Sequence, residues 1–302
     1  MISLRVPATS ANLGPGFDAL GLALALYLEV DAELAQQDRF HYEGEGALPD
    51  TADNLIHQGF RAAYLEVGEQ APKRRLEVRN PIPLARGLGS SSAALVAGIA
   101  VADTVLGGAL GRDGVFQLAA RLEGHPDNVA PAVYGGFTVS ARREDGGYLC
   151  ESLPLPESWH LLFGVPAFEL LTSKARSVLP ETYRRADIIH TGSRTALWSL
   201  AVAQNRPDLL AVASNDVVHE PYREPLVPGL ADCRRALLDA GAYAAYLSGA
   251  GPTVGVVCSA EHLERCRTLL RAFVGEGRII EVGSSSGYEV VETSVLRQPE
   301  AI

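Results

Sequence analysis

Apolar positions in the first half of the chain predict strands separated by helices. Ile2–Pro7 is a short strand candidate, and Leu22–Leu34 is apolar and then alternates with acidic residues, as strands do. Ile56, Phe60 and Ala63 recur at a spacing of three to four residues, which is typical of a helix. The same patterns predict helices over Asn54–Val67, Ser90–Leu106 and Gly114–Glu123, and strands over Arg75–Arg79 and Gly136–Ala141.

The second half of the chain predicts a separate unit. Cys150–Ser158 carries two prolines and little periodicity, so we place a domain boundary there, between an N-terminal domain 1–155 and a C-terminal domain 156–302. The elements predicted after it are, in order, His160–Pro166 (strand), Gly192–Gln204, Pro207–Val218 and Leu230–Ala240 (helices), Ala242–Ser248 and Thr253–Cys258 (strands), Glu261–Val274 (helix) and Arg278–Val295 (strand region). This order is close to the β-α-β-β-α-β plan of ferredoxin-like domains, and the hairpin-linked strands favour an α+β class.

Composition narrows the function classes. The chain has 302 residues, enough for about two domains, and 26 basic against 36 acidic residues give a net charge of −10. Acidic proteins repel phosphate backbones, so binding to nucleic acid is disfavoured. The longest apolar runs have ten residues, short of the ~20 that cross a bilayer. No signal-peptide pattern begins the chain and the four cysteines lack metal-ligand spacing, so we expect a cytoplasmic protein with reduced thiols.

The strongest chemical signal is a Gly/Ser loop at 83–93. Gly87 and Gly89 permit positive φ and a close backbone approach, and Ser90–Ser92 open the predicted helix. A helix N-terminus has unpaired N–H donors and the positive end of the helix dipole, so this loop suits a phosphate. The chain lacks GxxxxGK[ST], which excludes Walker-type NTPases, and the loop does not fit a GxGxxG dinucleotide fingerprint. The alternative is a turn that only caps the helix.

Four segments in one order carry a family resemblance. They are PATSANLGPGFD at 7–18, PLARGLGSSSA at 83–93, EGHPDNVAP at 123–131 and LSGAGPT at 247–253. Together they resemble the GHMP small-molecule kinases over essentially the whole chain, and the first and third segments resemble the homoserine kinases in particular.

The resemblance implies a two-domain α+β fold and a reaction. The N-terminal domain would contain a left-handed βαβ unit, and the C-terminal domain would be ferredoxin-like. The implied activity is direct transfer of a phosphoryl group from ATP, with Mg²⁺, to the side-chain hydroxyl of L-homoserine, a step of threonine biosynthesis. Neither nucleic acid nor a membrane would be a partner, and a homodimer is common among relatives.

The resemblance also implies residues that bind the amino-acid substrate. Asp18 would meet the ammonium group, and Asn12 would line the same site. Arg176 and Arg223 would hold the carboxylate, for which the planar guanidinium is suited; Thr172 is a neighbouring candidate. The alternatives are that Asn12 and Asp18 only organise a Gly-Pro turn and that the arginines are exposed surface groups.

Further roles concern transfer, metal and nucleotide. Asn128 would lie near the reacting hydroxyl, with Asp127 holding the local geometry or touching substrate, and Arg176 beside them as a catalytic group. The family lacks a clear general base, which fits phosphoryl transfer by positioning and charge stabilisation. His125 would contact substrate or merely hydrogen-bond the backbone. Glu123 and Ser92 would bind Mg²⁺, unless Glu123 is only an acid at a helix end.

The ATP site would follow the Gly/Ser loop. Its residues are Pro83, Leu84, Ala85, Arg86, Gly87, Leu88, Gly89, Ser90, Ser91, Ser92 and Ala93, with Asn54 at the adenine. A plain helix N-cap is an equal alternative for Asn54. Gly249 and Gly251 would let the second domain approach the loop closely. Two other functions stay open: a GHMP kinase for mevalonate, a phosphorylated isoprenoid precursor or a sugar, and a non-catalytic relative of the fold.

Overall fold

The computed structural model describes residues 1–46, 48, 51 and 53–293. The strands are Ile2–Ala11 (β1), Leu20–Leu34 (β2), Arg39–Gly44 (β3), Arg74–Asn80 (β4), Phe137–Arg142 (β5), Tyr148–Leu153 (β6), His160–Val165 (β7), Ala244–Leu247 (β8), Val254–Cys258 (β9), Arg278–Val282 (β10) and Glu289–Thr293 (β11). The helices are Leu55–Glu66 (α1), Ser90–Val105 (α2), Gly111–Glu123 (α3), Val129–Tyr134 (α4), Thr172–Ser177 (α5), Arg185–Gln204 (α6), Leu210–Ala213 (α7), Glu220–Arg223 (α8), Leu230–Asp239 (α9) and Leu263–Val274 (α10).

The first sheet has seven strands in the order β11-β1-β2-β4-β3, with β5 paired to β2 and β6 paired to β5. The long strand β2 serves two neighbours: Leu20–Leu22 pair with β5, and Glu29–Leu34 pair with β4. Strands β3 and β4 are parallel and are joined through α1, so they form the βαβ unit of this half. The loop 81–89 joins the end of β4 to the start of α2.

Helix α2 runs through the core of this half because its sequence is small and apolar on every side. It buries almost all of its residues and crosses α1 where both helices carry glycine. A Cβ at Gly98 would lie 2.0 Å from the carbonyl oxygen of Ile56, and one at Gly59 would lie 2.4 Å from that of Leu95. The two backbones therefore touch, and the N-terminus of α2 is held firmly in place.

The second sheet confirms the predicted ferredoxin-like plan. Its order is β10-β7-β9-β8 with every pair antiparallel, which is the 4-1-3-2 order of that plan. Helices α5 to α9 fill the first helical position, as the enlarged part that we expect there. Helix α10 returns the chain from β9 to β10, with Cys266 and Leu270 buried against the sheet.

Several elements differ from the prediction. Pro207–Val218 is not one helix: a 3₁₀ turn and the short α7 end at Ala213, because the Asp216 carboxylate accepts the N–H groups of residues 218, 219 and 220 and starts a new turn. The sequence pattern also missed β3, α4, α5 and β6. Strands β3 and β6 lie at sheet edges with mostly exposed side chains; in β3 only Phe40 and Tyr42 alternate with polar residues, and β6 lacks an apolar alternation.

The chain ends back on the first sheet. Strand β6 occupies the start of the predicted linker Cys150–Ser158, and β11 pairs with β1 rather than with the second sheet. The predicted strand region to Val295 thus divides into β10 and β11, and its last two residues lie outside the described part of the chain. The division 1–155 and 156–302 stays a prediction, with β11 crossing it. Within the described residues, none of the helices is long and apolar enough to span a bilayer.

Candidate active site

A cavity of about 250 Å³ lies between the half of the protein built on the first sheet and the half built on the second. Both halves line it, and its walls include most of the residues that the sequence singled out. Those residues are Asn12, Asp18, Pro83, Ala85, Arg86, Gly87, Leu88, Gly89, Ser90, Ser91, Glu123, His125, Asp127, Asn128, Thr172, Arg176, Arg223 and Gly249. The structure therefore brings six distant segments of the sequence to one place.

One wall of the cavity is the N-terminus of α2. Gly87 and Gly89 adopt positive φ values of 76° and 67°. Gly89 is the N-cap residue and has no side chain to accept from the first turn, so the N–H groups there have no side-chain cap. A sixteen-residue buried helix that opens with uncapped donors attracts an anion such as a phosphate group.

The loop needs glycine because other backbone presses on it. A Cβ at Gly87 would lie 2.2 Å from the carbonyl oxygen of Ser248, and one at Gly249 would lie 3.5 Å from the carbonyl oxygen of Gly87. The hydroxyl of Ser248 donates to the same Gly87 oxygen at 2.6 Å, and that of Thr253 donates to the Arg86 oxygen at 2.5 Å. The segment 247–253 therefore clamps the loop, as the sequence predicts.

Four residues of the predicted ATP site do not line the cavity. They are Leu84, Ser92 and Ala93 of the loop and helix, and Asn54. Asn54 is the N-cap of α1, where its side chain accepts the N–H groups of the helix. Arg86 does line the cavity, but its guanidinium pairs with Glu45 at 2.9 Å and donates to the carbonyl of Ala167. Its side chain thus ties the loop to both halves.

Glu123 lies at the edge of the loop, as a metal ligand beside ATP would. The hydroxyls of Ser91 and Ser92 both donate to its Oε1 at 3.1 Å. Glu123 is the last residue of α3, and Gly124 ends the helix at a positive φ of 88°. A carboxylate and hydroxyls are hard oxygen ligands of the kind that Mg²⁺ prefers, so these residues fit that ion.

The HPDN turn forms the bottom of the cavity. His125 Nδ1 lies 2.8 Å from Asp127 Oδ1, and Asp127 is 3 % exposed. Burial lowers the pKa of His125, but the hydrogen bond and charge of Asp127, with Glu123, outweigh it and raise that pKa above its ordinary value. Asp127 Oδ1 also accepts from the backbone N–H and the side-chain amide of Asn128.

Thr9 orients the Asn128 amide. Its hydroxyl donates to Asn128 Oδ1 at 2.8 Å, which leaves Nδ2 on the side of Asp127. Thr9 is fully buried, and a Cβ at Gly89 would lie 1.9 Å from its hydroxyl. Thr9 thus joins the phosphate loop to the HPDN turn. The first motif contains Thr9, but its sequence indicates no role for this residue.

The opposite wall is charged. Arg176 makes two hydrogen bonds to Asp18, Nη2–Oδ1 at 2.6 Å and Nη1–Oδ2 at 3.1 Å. The sequence assigned these residues to opposite groups of a ligand and did not predict that they pair with each other. Asp18 adopts a positive φ of 55°, and its N–H donates to the side chain of Asn12. The Asn12 amide also donates to the Gly249 oxygen. Asn12 therefore organises the turn, which is the alternative that the sequence left open for it.

Arg223 is the second cation of this wall and is 2 % exposed. It donates to the carbonyl oxygens of Ala175 and Gly249, at 3.1 and 3.0 Å. Burial, followed by repulsion from Arg176, lowers the pKa of Arg223 to about 10, so it stays protonated at neutral pH. An exposed surface arginine, the alternative for this residue, does not fit such burial.

Phe17 is a lining residue that sequence reasoning missed. The guanidinium carbons of Arg176 and Arg223 lie 5.3 and 5.4 Å from the centre of its ring. Both distances are within the range of cation–π attraction. Its place directly before Asp18 in the first motif was the available signal.

Asp18, His125 and Asp127 also place one ligand atom each within 4.8 Å of the others. However, Arg176 already neutralises Asp18, and His125 and Asp127 are bonded to each other. A cation there would have to displace a guanidinium. Glu123 with the two serines is therefore the better magnesium site.

Family models match both halves of the chain. The model of the GHMP kinases N terminal domain matches residues 54–136, and that of the GHMP kinases C terminal matches residues 199–274. The first match contains the phosphate loop, Glu123 and the HPDN turn.

Individual proteins resemble the chain over nearly its whole length. A homoserine kinase of Thermus thermophilus is 48% identical, covering 96% of this chain and 98% of its own. A homoserine kinase of Moorella thermoacetica is 43% identical, covering 91% and 93%. The crystal structure of a homoserine kinase from Cytophaga hutchinsonii superposes with a TM-score of 0.85 at 27% identity, covering 96% and 97%.

Proposed function

The chain belongs to the homoserine kinase family within the GHMP kinases, and on that premise we propose that it phosphorylates L-homoserine at the expense of ATP. The hydroxyl oxygen of homoserine forms a bond to the γ-phosphorus, the bond from that phosphorus to the β–γ bridging oxygen breaks, and O-phospho-L-homoserine and ADP leave. The hydroxyl proton is released. One observation supports this function above all: an uncapped helix N-terminus and a wall of paired opposite charges face the same cavity.

An amino-acid zwitterion matches the charged wall. Its carboxylate would bind the guanidinium groups of Arg176 and Arg223, and its ammonium would bind the carboxylate of Asp18. Arg176 and Asp18 pair with each other in the same bidentate manner that a ligand carboxylate would use. A ligand with both charges can exchange with both partners at once, whereas a ligand with only one charge leaves the other partner without a counter-ion.

Transfer relies on position rather than on a strong base. The Asp127 oxygen that faces its neighbours already accepts hydrogen bonds from His125 and Asn128. These bonds hold the carboxylate in the turn and occupy that oxygen. We therefore assign Asn128 and Arg176 to contact the transferring group, with Asp127 holding the turn. Phosphoryl transfer needs little covalent help from the protein once the reactants are aligned.

The phosphate wall would hold the nucleotide through backbone N–H groups of residues 87–92. Glu123, with the hydroxyls of Ser91 and Ser92, would bind Mg²⁺, because each hydroxyl oxygen lies 3.1 Å from Glu123 Oε1 beside the loop. Bound Mg²⁺ supplies positive charge that neutralises the β- and γ-phosphate oxygens. The role of Asn54 at the adenine gains no support from its helix-capping contacts.

A kinase for another alcohol is the second candidate. Mevalonate and sugars carry no ammonium group, so neither would give Asp18 a partner after Arg176 turns to a carboxylate or phosphate. A non-catalytic relative would have no need of Glu123, the loop and the HPDN turn together, and all three are in place.

The test is ADP release with Mg²⁺-ATP and L-homoserine, D-homoserine, L-serine, mevalonate or galactose. We expect turnover with L-homoserine at least about 100-fold above mevalonate and galactose, which lack the ammonium group and leave a charged partner of the wall unpaired. D-Homoserine and L-serine carry both charges, so they test whether the hydroxyl must stand at the position that L-homoserine gives it. Turnover of another alcohol would overturn the substrate, and ATP binding without turnover would favour the non-catalytic relative. The cytoplasmic location, the homodimer and the place in threonine biosynthesis stay predictions.

A further inference from the structure

We propose that His219 is a positioning residue for the amino-acid wall, one that sets the orientation of Arg223 and ties it to the turn that carries Asp18. His219 is fully buried and does not line the cavity. Its two ring nitrogens nevertheless contact the two segments that supply that wall. This inference rests on the proposed function, because it takes Arg223 as a ligand of the substrate carboxylate.

The hydrogen bonds of the ring define its tautomer. Nε2 lies 2.7 Å from the carbonyl oxygen of Gly14, and a carbonyl only accepts, so Nε2 carries the proton. Nδ1 lies 3.1 Å from Arg223 Nη1, and a guanidinium only donates, so Nδ1 is the acceptor. A neutral ring with its proton on Nε2 satisfies both contacts, and a ring protonated on both nitrogens would lose the bond to Arg223.

The contact with Nδ1 completes the set that holds Arg223. Nε donates to Ala175, and Nη1 is shared between Gly249 and His219. Nη2 has no hydrogen-bond partner among the described residues, so this edge of the guanidinium is available to a ligand carboxylate. Loss of the acceptor at His219 would let Nη1 rotate and turn that edge away.

The contact with Gly14 reaches the other side of the wall. Gly14 begins the turn that ends at Asp18, and the Phe17 ring lies 5.4 Å from the His219 ring. A Cβ at Gly14 would lie 2.5 Å from the Ser214 oxygen, so this turn is packed tightly beside the loop before His219. One buried ring thus sets the distance between the cation and the anion that would grip the zwitterion.

The groups around His219 support this reading. The Asp216 carboxylate accepts the N–H of His219 at 2.8 Å, and its oxygen lies 3.7 Å from Nε2. Glu220 accepts from the Leu247 N–H and pairs with Arg234, so its charge is directed away from the ring. Both ring nitrogens are therefore used in hydrogen bonds that hold the ring in place, and neither is available for acid or base chemistry.

Two amide variants separate the two contacts. In His219→Asn, the amide oxygen can take the place of Nδ1 and still accept from Arg223. In His219→Gln, the amide nitrogen can take the place of Nε2 and still donate to Gly14, but Arg223 loses its acceptor. We expect H219Q to raise the homoserine KM about tenfold, the usual effect of one hydrogen bond to a charged group. H219N should raise it less than about threefold, and the ATP KM should change less than twofold in both.

Homoserine binding without ATP, measured by titration calorimetry, and the melting temperature complete the test, with Arg223→Ala as reference. Equal homoserine KM values in H219N and H219Q, or parallel losses for homoserine and ATP, would overturn the inference and show a merely structural role. If H219Q does not fold, a homoserine KM raised tenfold in a folded H219N would overturn it. Wild-type protein that binds no homoserine would overturn the proposed function together with this inference. Binding by the wild type that weakens in R223A but not in H219Q would overturn the inference alone.

Discussion

The two walls of the cavity are built by different means. The phosphate wall is backbone: the N-terminus of α2 and the loop before it, contiguous in the sequence at 83–93. The amino-acid wall is side chains: Asp18, Arg176 and Arg223, which come from three distant segments and are oriented by bonds to one another and to the carbonyl of Gly249. The first wall depends on where the chain runs, and the second on which charges stand together.

Because of this difference, the two walls are sensitive to different substitutions. Backbone donors survive the loss of most side chains, but an added Cβ collides where the loop is pressed by other segments. Side-chain charges tolerate small backbone shifts, but each depends on a partner of matching shape and sign. Substitutions should therefore divide into those that impair ATP and those that impair the amino acid.

The largest effect should come from Gly89→Ala. Its Cβ would lie 1.9 Å from the Thr9 hydroxyl at a positive φ of 67°, so the loop and the HPDN turn must move apart. We expect kcat/KM to fall by about 100-fold or more, since a shift of ~1 Å costs about that much. Gly107→Ala is the matched control, with φ of 71° and nothing within 4 Å of its Cβ. Steady-state kinetics of both variants decide; equal losses would show that backbone strain alone matters.

The amino-acid wall should respond to Arg176→Lys. An ammonium group cannot form the two parallel bonds that the guanidinium makes, and such charged bonds contribute about 1.5–3 kcal/mol each. We expect the homoserine KM to rise between about tenfold and 100-fold while the ATP KM stays within about twofold. Arg206→Lys is the control, because Arg206 also forms a bidentate pair, through Nε and Nη2, with Asp208 on the surface. An equal rise in both KM values would contradict the division between the walls.

Glu123→Gln should affect the phosphate wall without moving its backbone. The amide keeps the shape and can still accept from the serines, but it loses the charge that would bind Mg²⁺. We expect kcat to fall about tenfold and the half-saturating Mg²⁺ concentration to rise, as a loss of about 1.4 kcal/mol would give. A magnesium titration of activity measures both. Glu66→Gln, an exposed acid paired with Arg121, is the control; an unchanged Mg²⁺ requirement in E123Q would remove Glu123 from the metal site.

Thr9→Val tests the junction between the phosphate loop and the HPDN turn. Valine has nearly the shape of threonine but no donor for Asn128 Oδ1, so the Asn128 amide is no longer held. We expect kcat to fall about fivefold, the effect of one hydrogen bond of ~1 kcal/mol, with both KM values within about twofold. Thr9→Ser keeps the hydroxyl and should keep the wild-type kcat. A serine variant as slow as the valine variant would show that packing, not the hydrogen bond, is what matters.

The last prediction concerns stability against pH rather than catalysis. Burial lowers the pKa of His219 to about 4, whereas an unfolded histidine titrates near ~6.5. The unfolded chain therefore binds the extra proton first, and the contribution of His219 to the free energy of unfolding should fall as the pH drops from about 6.5 towards 4, by at most about 1.4 kcal/mol per pH unit. Burial raises the pKa of Glu220 to about 7, which acts in the opposite direction and is common to wild type and variant. Urea unfolding at several pH values measures this slope. His219→Gln should flatten it; an unchanged slope would assign it to other groups.

Most of the phosphate wall could be predicted from the sequence because its determinants are local. Two glycines, three serines and an apolar helix stand next to each other, and local geometry places the donors. The strand order of the ferredoxin-like half was likewise predicted, because β7, β8 and β9 are apolar and buried. Its helical part was predicted less well, since α5 was missed and Pro207–Val218 is not one helix. Edge strands β3 and β6 were not predicted because most of their side chains are exposed: the apolar signal of β3 is limited to Phe40 and Tyr42, and β6 has no alternation.

The sequence by itself determined which chemistry the cavity holds: the glycine loop, the carboxylates and the arginines that the motifs contain. Only the tertiary structure decided how the charges are paired. Packing between segments more than 100 residues apart pairs Asp18 with Arg176 and lets Thr9 orient Asn128. A buried helical turn brings His219 into contact with Arg223. A side chain's partner depends on the directions in which distant elements pack, and local sequence does not encode those directions.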